Sequence, residues 1–222
     1  MYSNYKLVNS PIISGLFLFF VLQLRLRPLY TQLEHIMKTL IIHPEDPTTT
    51  FLDPIYTDIP NQTRVQGNSS KEEVLDLIRA HDRVLMMGHG SPLGLMSMNK
   101  FTIQNFGWPT YIIDEKAVEL LQAKKDSLFI WCHADQYVNK FGLKGFFTGM
   151  FVSEVGEAEA HGLTGVSLEE VGLSNRVFSQ EVAKAIHLPA AALCQQVKER
   201  YGELAAAGNP IAAYNCERLY FN

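Results

Sequence analysis

From residue 37 onward, short continuous apolar runs alternate with longer amphipathic stretches. Residues 39–43, 83–87, 127–132 and 145–155 form the runs, each bounded by Gly, Pro or polar residues. Unbroken apolar runs of this length fit strands buried on both faces of a parallel sheet. Between them, Ser70-Lys71-Glu72-Glu73 reads as a capping box opening a helix over 70–80, with Val74, Leu75, Leu77 and Ile78 as its apolar face. Asp114 precedes a second helix over 115–125, and residues 175–185 and 190–206 read as two more, the last closed by Gly208-Asn209-Pro210. Residues 44–70 are polar and proline-rich, a loop with one short strand at 63–66; residues 92–109 suit a small hairpin. Residues 212–216 are expected as a last strand, with Tyr220 and Phe221 docking the terminus. The alternation predicts an α/β protein, a three-layer sandwich with a mostly parallel sheet flanked by helices.

The N-terminal stretch breaks this pattern. Residues 12–24 are apolar apart from Ser14, Gly15 and Gln23, and Arg25 and Arg27 follow. About 13 apolar residues fall short of the roughly 20 that span a bilayer. A signal peptide would carry its charge ahead of the run and a small-residue cleavage site behind it. Residues 1–36 are therefore expected to lie outside the fold, as sequence upstream of the true start or as a weak anchor. Residues 37–222 form the domain.

Composition narrows the function classes. Of 222 residues, 47% are hydrophobic and 19% charged, which suits a globular protein with a sizeable core. A net charge of −4 without a Lys/Arg cluster gives no footprint for nucleic acid. Cys132, Cys194 and Cys216 make neither a disulfide framework nor a Cys-x-x-Cys zinc pair, and fit reduced thiols in the cytoplasm.

The chemistry sits at two run ends. Gly88-His89-Gly90 follows the second run and Cys132-His133-Ala134 ends the third. In an open parallel sheet, side chains beyond the carboxyl ends of strands converge on one crevice. An imidazole and a thiol there make a base and a nucleophile. His133 is a weaker partner for Cys132, because consecutive strand residues face opposite ways. The amide of Gly90 is free to donate to a developing oxyanion.

Together these blocks resemble the caspase-like cysteine peptidases, which include metacaspases, gingipains, separases and legumains. Met86-Met87-Gly88-His89-Gly90 matches their apolar strand ending in His-Gly. Ile130-Trp131-Cys132-His133-Ala134 is similar to the Cys-His-Ser-Gly block of metacaspases, with Ala134 and Asp135 replacing Ser and Gly. The resemblance covers residues 37 to about 155. It implies a caspase-like sandwich with His89 as general base, Cys132 as nucleophile and the amides of Gly90 and Cys132 as oxyanion donors. It implies a peptide or protein substrate, and neither metal nor organic cofactor. Glu45 and Asp46, after the first strand, and Asp135, after the thiol, become candidate substrate-binding acids; Glu45 or Asp46 would favour Lys or Arg before the cut.

Two other readings stay open. Metacaspases carry an acid two positions before the Cys, where this chain has Ile130, and the turn after the Cys holds bulky Tyr137. Both features suit a catalytically inactive module that uses the crevice for binding or assembly. Alternatively, His43, His89, His133 and Asp135 all fall at expected strand ends and are ligand types for zinc, manganese or iron. The oligomeric state has no signature in the sequence.

Overall fold

The computed structural model describes residues 37–65, 69–97 and 110–222. The expectation for residues 1–36 lies outside the described residues. Six strands form the main sheet: β1 (Thr39–Ile42), β2 (Gln62–Val65), β3 (Arg83–Met87), β7 (Ser127–Ile130), β8 (Gly145–Thr148) and β9 (Leu219–Phe221). Their order is β2-β1-β3-β7-β8-β9, parallel throughout except that β9 runs antiparallel to β8. A small antiparallel sheet, β4 (Gly90–Ser91), β5 (Gly94–Met96) and β6 (Tyr111–Ile113), leaves the carboxyl end of β3.

The apolar runs pack both faces because side chains alternate along a strand. Ile41, Leu85, Met87, Leu128 and Ile130 join one core with residues of helices Leu168–Ala185 and Ala190–Ala206. Leu40, Ile42, Val84, Met86, Phe129 and Trp131 join the other, with helices Lys71–Ala80, Val118–Gln122 and Ala134–Phe141. The described part of the chain is thus a three-layer α/β sandwich with a mostly parallel sheet.

Several helix starts follow local rules. Ser70 and Glu73 form a full capping box, as do Ser167 and Glu170, which start the third long pattern seven residues before the expected 175. Asp114 caps a 3₁₀ turn, Glu115–Ala117, that leads into Val118–Gln122.

Four stretches differ from the pattern reading. The proline-rich loop contains a 3₁₀ helix, Pro47–Ile55, begun by Asp46 as cap and Pro47 in its first turn. The turn expected after Cys132, at residues 135–137, lies within a helix, Ala134–Phe141, that buries Ala134, Tyr137 and Val138 on one face. The 145–155 run is strand only to Thr148, and Val155–Ala160 is a helix. The last expected strand, 212–216, lies in helix Pro210–Cys216, because the Asn209 side chain accepts from Ala212 N at 2.8 Å and Pro210 fits the first helical position. The residues expected to dock the terminus are themselves the edge strand β9.

Candidate active site

β3 and β7 are neighbours in the sheet with flush carboxyl ends: Met87 pairs with Ile130, and Gly88 N donates to Ile130 O at 3.0 Å. His89 and Cys132 each come two positions after that pair. Both line one small cavity of about 20 Å³, together with Thr49, Phe51, Phe151, Ser153 and Glu157. That volume holds about one water molecule. Phe51 is part of its lining, its ring stacked on Phe151 with centroids 6.3 Å apart and planes 9° from parallel.

The glycines around His89 have separate reasons. Gly88 sits at φ +135°, a left-handed region where side chains are strained. Gly90 leaves room for a neighbour: a Cβ there would stand 2.1 Å from Cδ1 of Trp131. Trp131 is buried and donates from Nε1 to Ser91 O at 3.2 Å, which fixes the turn after His89 against the end of the cysteine strand.

His89 is held from one side. Its Nε2 lies 2.7 Å from Thr48 Oγ1, and that hydroxyl donates to Asp46 Oδ1 at 2.5 Å. The same carboxylate oxygen accepts from Thr48 N at 2.8 Å and stands 3.7 Å from His89 Nε2. Burial pushes the Asp46 pKa up, but hydrogen bonds from the Thr48 hydroxyl and amide, with the nearby His89 ring, outweigh it and leave the carboxyl below its ordinary value. Among the described residues, His89 Nδ1 has no hydrogen-bond partner.

Cys132 is differently placed. Its thiol donates to Phe151 O at 3.6 Å, and burial, reinforced by the Glu157 carboxylate, pushes its pKa up to about 11. At neutral pH it is a thiol, not a thiolate. Glu157 Oε2 accepts from Ser153 N at 2.8 Å and Ser153 Oγ at 3.2 Å, which holds it beside the sulfur. Cys194 and Cys216 are also free thiols, raised mainly by burial.

The expected acids separate. Asp46 turns toward Thr48 and His89 instead of opening to solvent, while Glu45 is exposed beyond the strand. Asp135 lies in the first turn of helix Ala134–Phe141, with Oδ1 buried and unpartnered. Glu157, two residues beyond the stretch read as strand and within helix Val155–Ala160, is the acid that lines the cavity.

The four residues of the metal reading also separate. His43 bonds through both nitrogens, to Tyr56 Oη and Thr49 Oγ1, each at 3.0 Å. His133 adopts a left-handed conformation as the cap of helix Ala134–Phe141, with Gln136 Nε2 at 3.4 Å from its Nδ1. Among the described residues, no group of three or more His, Cys, Asp or Glu side chains could hold a metal ion. Nor is any described helix long and apolar enough to cross a membrane.

Comparison with known protein families, curated proteins and solved structures finds no match to this chain.

Proposed function

We propose that the protein is a cysteine-dependent peptide-bond hydrolase of caspase-like type, with Cys132 as nucleophile and His89 as base. The observation that carries this reading is that the two residues close adjacent parallel strands and line one cavity, with a ring nitrogen of His89 still unbonded. Cys132 Sγ attacks the substrate carbonyl carbon as its proton passes to His89. The tetrahedral oxyanion collapses, the C–N bond breaks, and His89 returns the proton to the leaving amine. Water then cleaves the thioester, giving a carboxylic acid and the free thiol. The amides of Gly90 and Cys132 are the oxyanion donors of this reading.

Two features set conditions on activity. A cavity of about 20 Å³ is smaller than a peptide, and movement of Phe51 away from Phe151 is the step by which this reading widens the way to the sulfur. Glu157 disfavours the thiolate, and a Lys or Arg of the substrate paired with it removes that penalty. Peptides with a basic residue at the cut are therefore the favoured substrates.

The second reading, a module that keeps the fold without catalysis, is favoured by the small size of the cavity and by a Cys132 pKa pushed up to about 11. A peptide library incubated with the full chain separates the two. Hydrolysis biased to Lys or Arg, lost by about 10²-fold or more in Cys132→Ala and His89→Ala and faster in Phe51→Ala, supports the peptidase. No cleavage by either the full chain or Phe51→Ala favours the module.

A further inference from the structure

The hydrogen bonds around His89 assign a direction that the position of the ring alone does not. Thr48 has one hydroxyl proton, and it lies on the 2.5 Å contact to Asp46 Oδ1. A carboxylate of lowered pKa has no proton to give back. The Thr48 oxygen must therefore accept from His89 Nε2 across 2.7 Å, and that nitrogen carries the proton. Nδ1 is then the lone-pair nitrogen.

We propose that Thr48 and Asp46 are positioning residues that hold His89 as the Nε2–H tautomer, so that Nδ1 is the basic nitrogen of the site. The tautomer follows from the hydrogen-bond chain itself; its use in proton transfer rests on the peptidase reading above. The chain also fixes what each partner contributes. Asp46 orients the Thr48 hydroxyl, and its negative charge 3.7 Å from Nε2 favours the imidazolium formed when Nδ1 takes the thiol proton. Thr48 transmits that orientation and keeps the ring from rotating. The arrangement belongs to the start of the 3₁₀ helix: Asp46 is its cap and Thr48 lies in its first turn. Other titratable groups face this chain as well. His43 is close enough for its charge state to be felt by Asp46 and His89, but its pKa is lowered, chiefly by burial, and it stays neutral.

The test uses the full chain with ¹⁵N-labelled histidine, the His89 signals being identified by their loss in His89→Gln. Above the titration of the ring, long-range ¹H–¹⁵N correlation should show Nε2 protonated and Nδ1 bare. Thr48→Ser keeps the hydroxyl and should keep this pattern; Thr48→Val should move it toward a mixture of tautomers. Asp46→Asn preserves a good helix cap but puts an amide, which can donate as well as accept, in place of a carboxylate that only accepts, so it should also move the pattern toward a mixture of tautomers without loss of the helix. A His89 ring found as the Nδ1–H tautomer, or unaltered in both Thr48→Val and Asp46→Asn, overturns the proposal. In the cleavage assay, Thr48→Val should lower kcat with KM unchanged and Thr48→Ser should restore it. If the Nε2–H tautomer depends on Thr48 but no peptide is cut, the peptidase reading fails while the assignment stands. If Cys132-dependent cleavage occurs with an Nδ1–H ring, the assignment alone fails.

Discussion

His43 follows β1 and His89 follows β3, its neighbour in the sheet, and each meets a hydroxyl that donates to a carboxylate. For His43 the hydroxyl is Tyr56, bonded onward to Asp53. For His89 it is Thr48, bonded onward to Asp46. The difference lies in the second nitrogen. His43 spends it on Thr49, and only 5% of its side chain is exposed. His89 leaves it unbonded, is 28% exposed, and borders the cavity that holds Cys132. Two histidines with the same partner chemistry thus differ in what they have left to give: one staples the 3₁₀ helix to the sheet, the other retains a base.

The largest effect that separates them is on stability. His43→Ala removes two buried hydrogen bonds, to Tyr56 and Thr49 hydroxyls that keep their other partners, together with the packing of the ring, a loss of about 3 kcal/mol. For a chain of this size that lowers the melting midpoint by about 6–12 °C. His89→Ala removes one hydrogen bond from a partly exposed ring and should cost about 1 kcal/mol or less. Melting curves of the two variants check this, and equal losses would break the comparison.

A smaller effect sharpens it through pH. Burial lowers the His43 pKa from its ordinary 6.5, with Asp53 and Asp46 opposing, so the folded state binds its proton less readily than the unfolded state. The stability tied to this residue is complete above about pH 6.5 and falls as the pH drops below it, by at most about 1.4 kcal/mol per pH unit. Denaturant titrations between pH 7.5 and 5 should show that slope in the parent protein and lose most of it in His43→Gln. An unchanged slope would mean that His43 is charged in the fold.

What the sequence revealed follows from how local each signal is. Continuous apolar runs located β1, β3 and β7, and the Ser70–Glu73 box located its helix, because strand burial and capping are written in adjacent residues. The pairing of β3 with β7, which brings His89 and Cys132 together, follows from parallel α/β topology. Thr48 carried no signal, since its role depends on a 3₁₀ helix inside a stretch that read as loop. Asp46-Pro47 was the available clue, a cap followed by a proline in the first turn. Glu157 was hidden because the apolar 145–155 run masked the end of β8 at Thr148. The helix after Cys132 had its own period in Ala134, Tyr137, Val138 and Phe141, and there the glycine-rich turn of the resembled family outweighed the spacing.

The most direct measurement of the central claim is peptide mapping after exposure to a basic-residue peptidyl electrophile, followed by mass spectrometry of all three cysteines. The account predicts one adduct, on Cys132, formed at least about tenfold more slowly in His89→Ala, while Cys194 and Cys216 stay unmodified. Modification of Cys194 or Cys216 ahead of Cys132, or a Cys132 rate indifferent to the loss of His89, would contradict it.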